Sequence, residues 1–432
     1  MIRLLTLCIV VTLNGMLQAE NWPGWRGPRG DGSSNETNVP IEWDVPSGKN
    51  VAWKIAVGGE GHSSPIVWGN RVFLTSCDET TTERKLACFD LQTGETIWER
   101  PVFKGQLETI HALNSRASGT PVTDGKHIFV AFMRTSGKMI PAPNVGSPRD
   151  ITSGEMVVAA YDMEGERQWM VSPGDFVSAH GFSSCPVLFE DVVIVNGDHD
   201  GDSYVVALEK QTGKERWRYK RVYGIRSYGT PLIRQAAGRT QMVFSGSKRI
   251  ISLDPKTGAV HWFVEGPTEQ MVASMVFDGQ KFYMNCGYPD YFVAAIWPNG
   301  SGDVTDSRTA WITPKARSYV PSPVVVGRYL IVADDRGTAN CFDTQTGDRL
   351  WQERLGSGFH GSLIHANGLV YLIARDGATS IVRPGDKFNR IAENIIGEPI
   401  SASPAISDGR LLIRTEESLI CLRNDTGEIN GQ

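Results

Sequence analysis

Several chemistries are excluded by what this chain lacks. It has no Cys-x-x-Cys-His for an attached haem and no Gly-x-Ser-x-Gly elbow. The steps His62-Ser63-Ser64 and His180-Gly181-Phe182-Ser183-Ser184 have no acid assigned to them, so no hydrolase triad is read there. A basic excess is also missing: 43 Lys and Arg stand against 48 Asp and Glu, a net charge of −5, which argues against bulk nucleic-acid binding. Beyond the first twenty residues no stretch is apolar enough to span a membrane. Cysteine is sparse, seven in 432 residues. Glycine is not: 46 residues suit an all-β chain full of tight turns.

Met1-Ile2-Arg3, the apolar run Leu4 to Leu13 and Leu17-Gln18-Ala19 read as a secretory signal peptide over residues 1–19, cleaved before Glu20. Cys8 lies inside its apolar core, too early for a lipid acceptor. The expectation is a soluble, monomeric protein, secreted or periplasmic. Cleavage leaves six cysteines. Cys88, Cys341 and Cys421 fill a slot that holds Ala160, Ala207 and Ser252 in sister units, a small buried position. Cys77 and Cys88, on neighbouring strands, are the one pair placed for a disulfide.

The rest of the chain repeats one module. An apolar strand opens on a small-small-Pro step, a hairpin turn follows, and a strand ending in Asp runs into Thr-Gly-x-x-x-Trp. Four copies are nearly complete: Asp90 to Trp98, Glu209 to Trp217, Asp254 to Trp262 and Asp343 to Trp351. A period of about 40–50 residues means stacked small sheets that cannot bury their faces alone. Inner strands start at Ser64, Thr120, Cys185, Thr230, Ala273-Ser274, Ser322, Gly361-Ser362 and Ser403, which makes eight units. The eighth stops after Thr426-Gly427 without an outer strand, and Asn50 to Val57, with Trp53, precedes the first. The spacing predicts an all-β, eight-bladed β-propeller of four-stranded blades over residues 50–432, its ring closed by that N-terminal strand completing the last blade. In the motif, Asp accepts turn N–H groups, Gly supplies φ > 0, and each Trp, burying ~200 Å², packs between blades. Residues 20–49, rich in Trp, Pro and Gly, read as an arm lying on the propeller.

Ala-x-Asp-x-x-Thr-Gly-x-x-x-Trp resembles the tryptophan-docking repeat of quinoproteins, eight-bladed propellers that in some members hold pyrroloquinoline quinone (PQQ). With Trp22-Pro-Gly-Trp25, Gly61-His62-Ser63-Ser64-Pro65 and Gly300-Ser-Gly-Asp303, the chain is similar to exported bacterial PQQ-like propellers. The resemblance implies a non-catalytic binding or interaction scaffold, by analogy with the propeller subunit of the outer-membrane protein assembly machine. It also raises an alternative, a PQQ-dependent dehydrogenase of alcohols or sugars. Those enzymes carry a vicinal disulfide against the quinone, and no Cys-Cys pair occurs here.

His62, Arg116, His180, Arg226, Arg317 and His360 fall just ahead of successive inner strands. Set round one axis, they would ring the mouth of the central channel. The expected occupant is a small anionic ligand, PQQ among the candidates, because Arg presents planar bidentate donors to carboxylates. The other reading is that each cation bonds carbonyls of its neighbour and tiles the rim. Asp198, Asp200 and Asp202 have the first spacings of a calcium loop, but Ser203 stands where the turn needs Gly, so they are a weak metal candidate only. Arg134 to Met156, about 20 residues with three prolines, reads as a long loop on the same face.

Overall fold

A computed structural model describes residues 19–424. The expected signal peptide, apart from Ala19, and the Thr426-Gly427 step lie outside them. Eight antiparallel sheets follow one another in chain order, each built from four strands of one repeat, and two gain a short fifth strand. Blade 1 runs Ile66–Trp68, Arg71–Asp78, Glu83–Asp90 and Thr96–Lys104. Blade 8 takes Ala405–Ser407, Arg410–Arg414 and Ser418–Arg423, then Val51–Ala56 from the other end of the chain. That N-terminal strand lies antiparallel to Ser418–Arg423, with Trp53 opposite Cys421. The propeller is closed as the repeat count requires, and blade 8 gains its fourth strand from the start of the chain.

The repeat motif works through pairs of blades. The Trp98 indole N–H donates to Met163 O (3.1 Å) in the next blade's turn, and Trp53, Trp169, Trp217 and Trp311 reach Leu91, Lys210, Pro255 and Thr344 in the same way. A side chain on Gly94 would strike the Trp53 ring at 2.8 Å, and φ there is +77°. Glycine is therefore required twice over, by backbone conformation and by the docked indole. Asp90 Oδ1 accepts the N–H groups of Gln92 and Thr93 (2.8 and 2.9 Å), and Asp343 Oδ1 those of Gln345 and Thr346.

Opposite each Trp in the ladder stands a small residue: Cys88, Ala160, Ala207, Ser252, Ala295, Cys341 or Cys421. This is why cysteines recur in that slot. All six described cysteines are buried and free. Cys77 and Cys88 form no disulfide, because register sets Cys77 against Arg84 and Cys88 against Phe73, four ladder steps apart. Blade 7 has no Trp of its own; Ile381 faces Ala392 instead. Trp43 of the arm is buried in the cluster that holds both residues, and its backbone N–H donates to Asn394 Oδ1 at 2.9 Å.

The arm crosses the far ends of the inner strands. Trp22 exchanges two bonds with Val67, Thr123 N–H donates to Pro23 O, and His365 N–H donates to Gly32 O. Arg26, buried, donates to the carbonyls of Pro323 and Leu363 in blades 6 and 7. Arg134 to Met156 is not a long loop. Blade 2's central strands simply run on, as His127–Pro141 and Asp150–Asp162, into a tall hairpin with an eight-residue tip. Its tip leans onto blades 3 and 4, where Asn144 donates to Gly224 O (2.8 Å) and accepts from Arg226.

Candidate functional site: a well on the propeller axis

Seven of the eight inner strands begin with a side chain that accepts a backbone N–H from the blade before it. Ser64 N donates to Thr120 Oγ1 (2.9 Å), Thr120 N to Cys185 Sγ (3.4 Å), Thr230 N to Ser274 Oγ (2.8 Å) and Ser274 N to Ser322 Oγ (2.9 Å). Ser322 N, Ser362 N and Ser403 N donate in turn to Ser362, Ser403 and Ser64. These seven bonds link every pair of neighbouring blades except blades 3 and 4. Ser64, Thr120, Cys185, Thr230, Ser362 and Ser403 line a central cavity of about 390 Å³. Trp25 of the arm forms its floor, with its indole N–H on Ser403 Oγ (3.3 Å).

Above the ring stand His62, His111, His180, His360, Tyr228, Tyr319 and Asp335. His180 is edge-on to His111 at 5.1 Å and stacked with Tyr228 at 6.4 Å between centroids. Asn114 donates to His180 O (2.7 Å), and Ser115 Oγ accepts the His62 N–H (2.9 Å), so both loops are held by their neighbours. Burial, then Arg414, draws the His62 pKa down to about 4. Burial, then Arg226, draws His180 to about 3, and burial followed by Arg375 lowers His360. The imidazoles of His62, His180 and His360 are neutral at physiological pH. Burial pushes Asp335 up to about 6, against the Val320 and Tyr319 N–H groups that bond its carboxylate (3.1 Å each).

Of the six rim residues expected from spacing, His62, His180 and His360 line the well; the three arginines do not. Arg116 is paired with Glu79 and donates to Glu108 O. Arg226 is buried against Asp200 (2.9 Å), and Arg317 is exposed. Two of the three arginine charges are therefore neutralised within the rim. The three acids of the calcium-like spacing also separate. Asp198 pairs with Arg221 (2.7 Å), Asp200 with Arg226, and Asp202 lies exposed near Lys220 (3.6 Å). Each acid faces its own cation, so they do not form a metal cage. Among the described residues no three His, Cys, Asp or Glu side chains gather for a metal. The well's lining includes no Lys or Arg, so this donor set does not fit a metal-assisted tricarboxylate such as PQQ.

Spacing missed His111, Tyr228, Tyr319, Asp335 and Trp25, which reach the well from linkers, a hairpin and the arm. It also missed two cations on the side of blades 7, 8 and 1. Arg414 lies behind His62, donating to Ser63 O (3.1 Å) and Thr75 O (2.7 Å). Arg375 is exposed beside the His360 loop, its N–H on Gly358 O and its carbonyl on Ile400 N–H. A signal for Arg414 did exist. The ladder sets Thr75, Ala131, Asn196, Ser245, Asn285, Ala333 and Ile373 at its position in the other blades, all uncharged.

Comparison with known proteins agrees with the geometry. Residues 33–149, 153–309 and 293–389 match the family described as outer membrane protein assembly factor BamB. The chain is 25% identical over 372 residues to the outer membrane protein assembly factor BamB of Burkholderia pseudomallei (strain K96243), covering 75% of this chain and 86% of that one. In fold it resembles BamB from Moraxella catarrhalis, with TM-score 0.59, 14% identity, and coverage of 87% of this chain and 98% of that one. It resembles quinohemoprotein alcohol dehydrogenase from Comamonas testosteroni at TM-score 0.50 and 13% identity, covering 93% and 80%. At such identities these two likenesses show the fold alone. With the family match running through seven blades, the chain belongs to the BamB family of PQQ-like β-propellers.

Proposed function

We propose that this protein is an exported, non-catalytic scaffold that docks a protein partner during assembly at an outer membrane. The observation that carries the reading is the family match across nearly the whole ring, together with a relative named as an assembly factor. The two disc faces support it. One is occupied by the protein's own arm. The other carries the tall blade 2 hairpin and three exposed apolar side chains on separate blades, Leu113 (50%), Val222 (60%) and Tyr288 (51%). Scattered apolar residues are ordinary on a surface, but these share the face left uncovered. No helix among the described residues is long and apolar enough to cross a membrane.

The test is affinity capture of the tagged chain from cells that make it, beside a Leu113→Asp, Val222→Asp, Tyr288→Asp variant. A membrane-assembly protein is expected with the wild type and absent from the variant. If the variant retains every partner, this face is not the docking surface. If no partner is ever captured, the scaffold reading fails.

A further inference from the structure

Trp25 closes the well below, and its indole N–H is already spent on Ser403 Oγ (3.3 Å), so the ring offers an occupant only its apolar face. The belt of hydroxyls comes next. Ser64, Thr120, Ser362 and Ser403 each accept a backbone N–H, and none donates its own O–H to a protein acceptor among the described residues. Thr230 adds a fifth lining hydroxyl. All five residues are more than nine-tenths buried. They open the inner strands of blades 1, 2, 7, 8 and 4, so unspent O–H hydrogens reach the well from all round the axis. Cys185, between Thr120 and Thr230, offers them only a weak sulfur acceptor.

Above the belt, His62 and His180 make no hydrogen bond through a ring nitrogen; only their backbone groups are tied. A neutral imidazole holds one donor and one acceptor. Among the described residues Asp335 is the one carboxylate lining the well, and no Lys or Arg lines it. Its two oxygens each accept one backbone N–H, from Val320 and Tyr319 (3.1 Å each), which leaves each a further lone pair.

This lining narrows the occupant by charge. An anion finds no Lys or Arg to meet it. A cation would face the positive ends of the belt hydroxyls. A purely apolar molecule would leave buried donors unsatisfied. What remains is an uncharged molecule with a flat C–H face and many hydroxyls.

We infer that the well is a binding site for an uncharged saccharide of one or two rings. A ring lies with its C–H face on the Trp25 indole, and its oxygens accept from the belt hydroxyls. Its own O–H groups donate to Asp335 and to the imidazoles of His62 and His180. The cavity of about 390 Å³ falls within the usual range of small-ligand sites. The site does not depend on the partner surface proposed above.

Purified full-length mature chain is titrated by calorimetry with D-glucose, D-galactose, N-acetyl-D-glucosamine and maltose, at low and high sodium chloride. The charged analogues D-gluconate and D-glucosamine are titrated beside them. At least one uncharged sugar should bind with a Kd in the millimolar range or tighter, unchanged by salt, and both charged analogues should be about tenfold weaker or more. Thr230 is the one belt position whose side chain accepts no such backbone N–H, so Thr230→Val removes a lining hydroxyl without breaking a belt bond. It should weaken the sugar about fivefold without lowering the melting temperature, and Asp335→Asn should weaken it about tenfold. Trp25→Leu should abolish binding; if it does not fold, the other two variants decide. No binding by any of the four sugars, a charged analogue bound as tightly, salt-dependent affinity, or unchanged affinity in either Thr230→Val or Asp335→Asn each overturns the proposal.

Discussion

The backbone N–H of Ser403 donates to Ser64 Oγ at 2.9 Å across 339 positions of sequence, and that bond joins the last inner strand to the first. The same contact recurs between neighbouring blades, so the small residue opening each inner strand is a link in a belt round the axis. In six of the eight blades Pro follows it, which removes a competing donor and holds the chain extended. One residue thus serves register, closure and the lining of the well.

Losing a belt hydroxyl should cost stability at two points when it accepts twice. Ser403 takes both the Ser362 N–H and the Trp25 indole N–H. Ser403→Ala is expected to destabilise by about 1–3 kcal/mol, the cost of stranding buried donors. Ser407→Ala, whose hydroxyl donates to Glu20 O, leaves the belt intact and should cost less. Urea melts decide, and equal losses would deny the belt a special role.

The docked indoles should be equivalent. Trp98→Ala, Trp217→Ala and Trp351→Ala each empty a slot in which the native ring is 7–9% exposed. A loss of about 3–5 kcal/mol is expected at each. A loss below about 1 kcal/mol at any of them would mean that its slot recollapses or is not a true interface.

Closure by the N-terminal strand predicts a failure on truncation. Deleting residues 20–57 removes the partner of Ser418–Arg423 and also Trp43, which is buried in the core cluster with residues of blades 7 and 8. The product should aggregate and melt far below the wild type in size-exclusion and thermal scans. A truncated monomer with unchanged melting would refute the closure.

Stability should fall on mild acidification. The unfolded chain protonates His62 and His180 near pH 6.5, whereas the native chain keeps them neutral down to about 4 and about 3. Folded pKa values below unfolded ones mean that the contribution is complete above about pH 6.5 and lost as pH falls toward 4, by up to about 3 kcal/mol for each. Asp335 acts in the opposite sense, since its raised pKa of about 6 favours the fold as pH drops. In urea melts between about pH 4.5 and 7, His180→Gln should flatten the net slope and Asp335→Asn should steepen it. A wild-type slope in His180→Gln would rule out this origin.

Blade number, closing strand and the Trp-Gly docking pairs were legible in the sequence because they are periodic. A motif such as Asp90 to Trp98 builds its own turn, and repetition shows where the next copy must sit. The cysteine slots were legible as small positions for the same reason, although only the ladder shows the indole that each one faces. The rim arginines were not legible. Position ahead of an inner strand says that a side chain starts near the axis, but Glu79 and Asp200, from other segments, decide that Arg116 and Arg226 are already paired. The blade 2 segment misled because its prolines suggested a loop, while strand pairing carries the hairpin on to Pro141 and Asp150. Trp25 and Trp43 come from an arm with no period at all; tertiary packing alone sets one beneath the well and buries the other against blade 7. Local repetition determines the ring and its joints. Which charges remain free inside it depends on contacts between segments far apart in the chain, and those exist only once the propeller has closed.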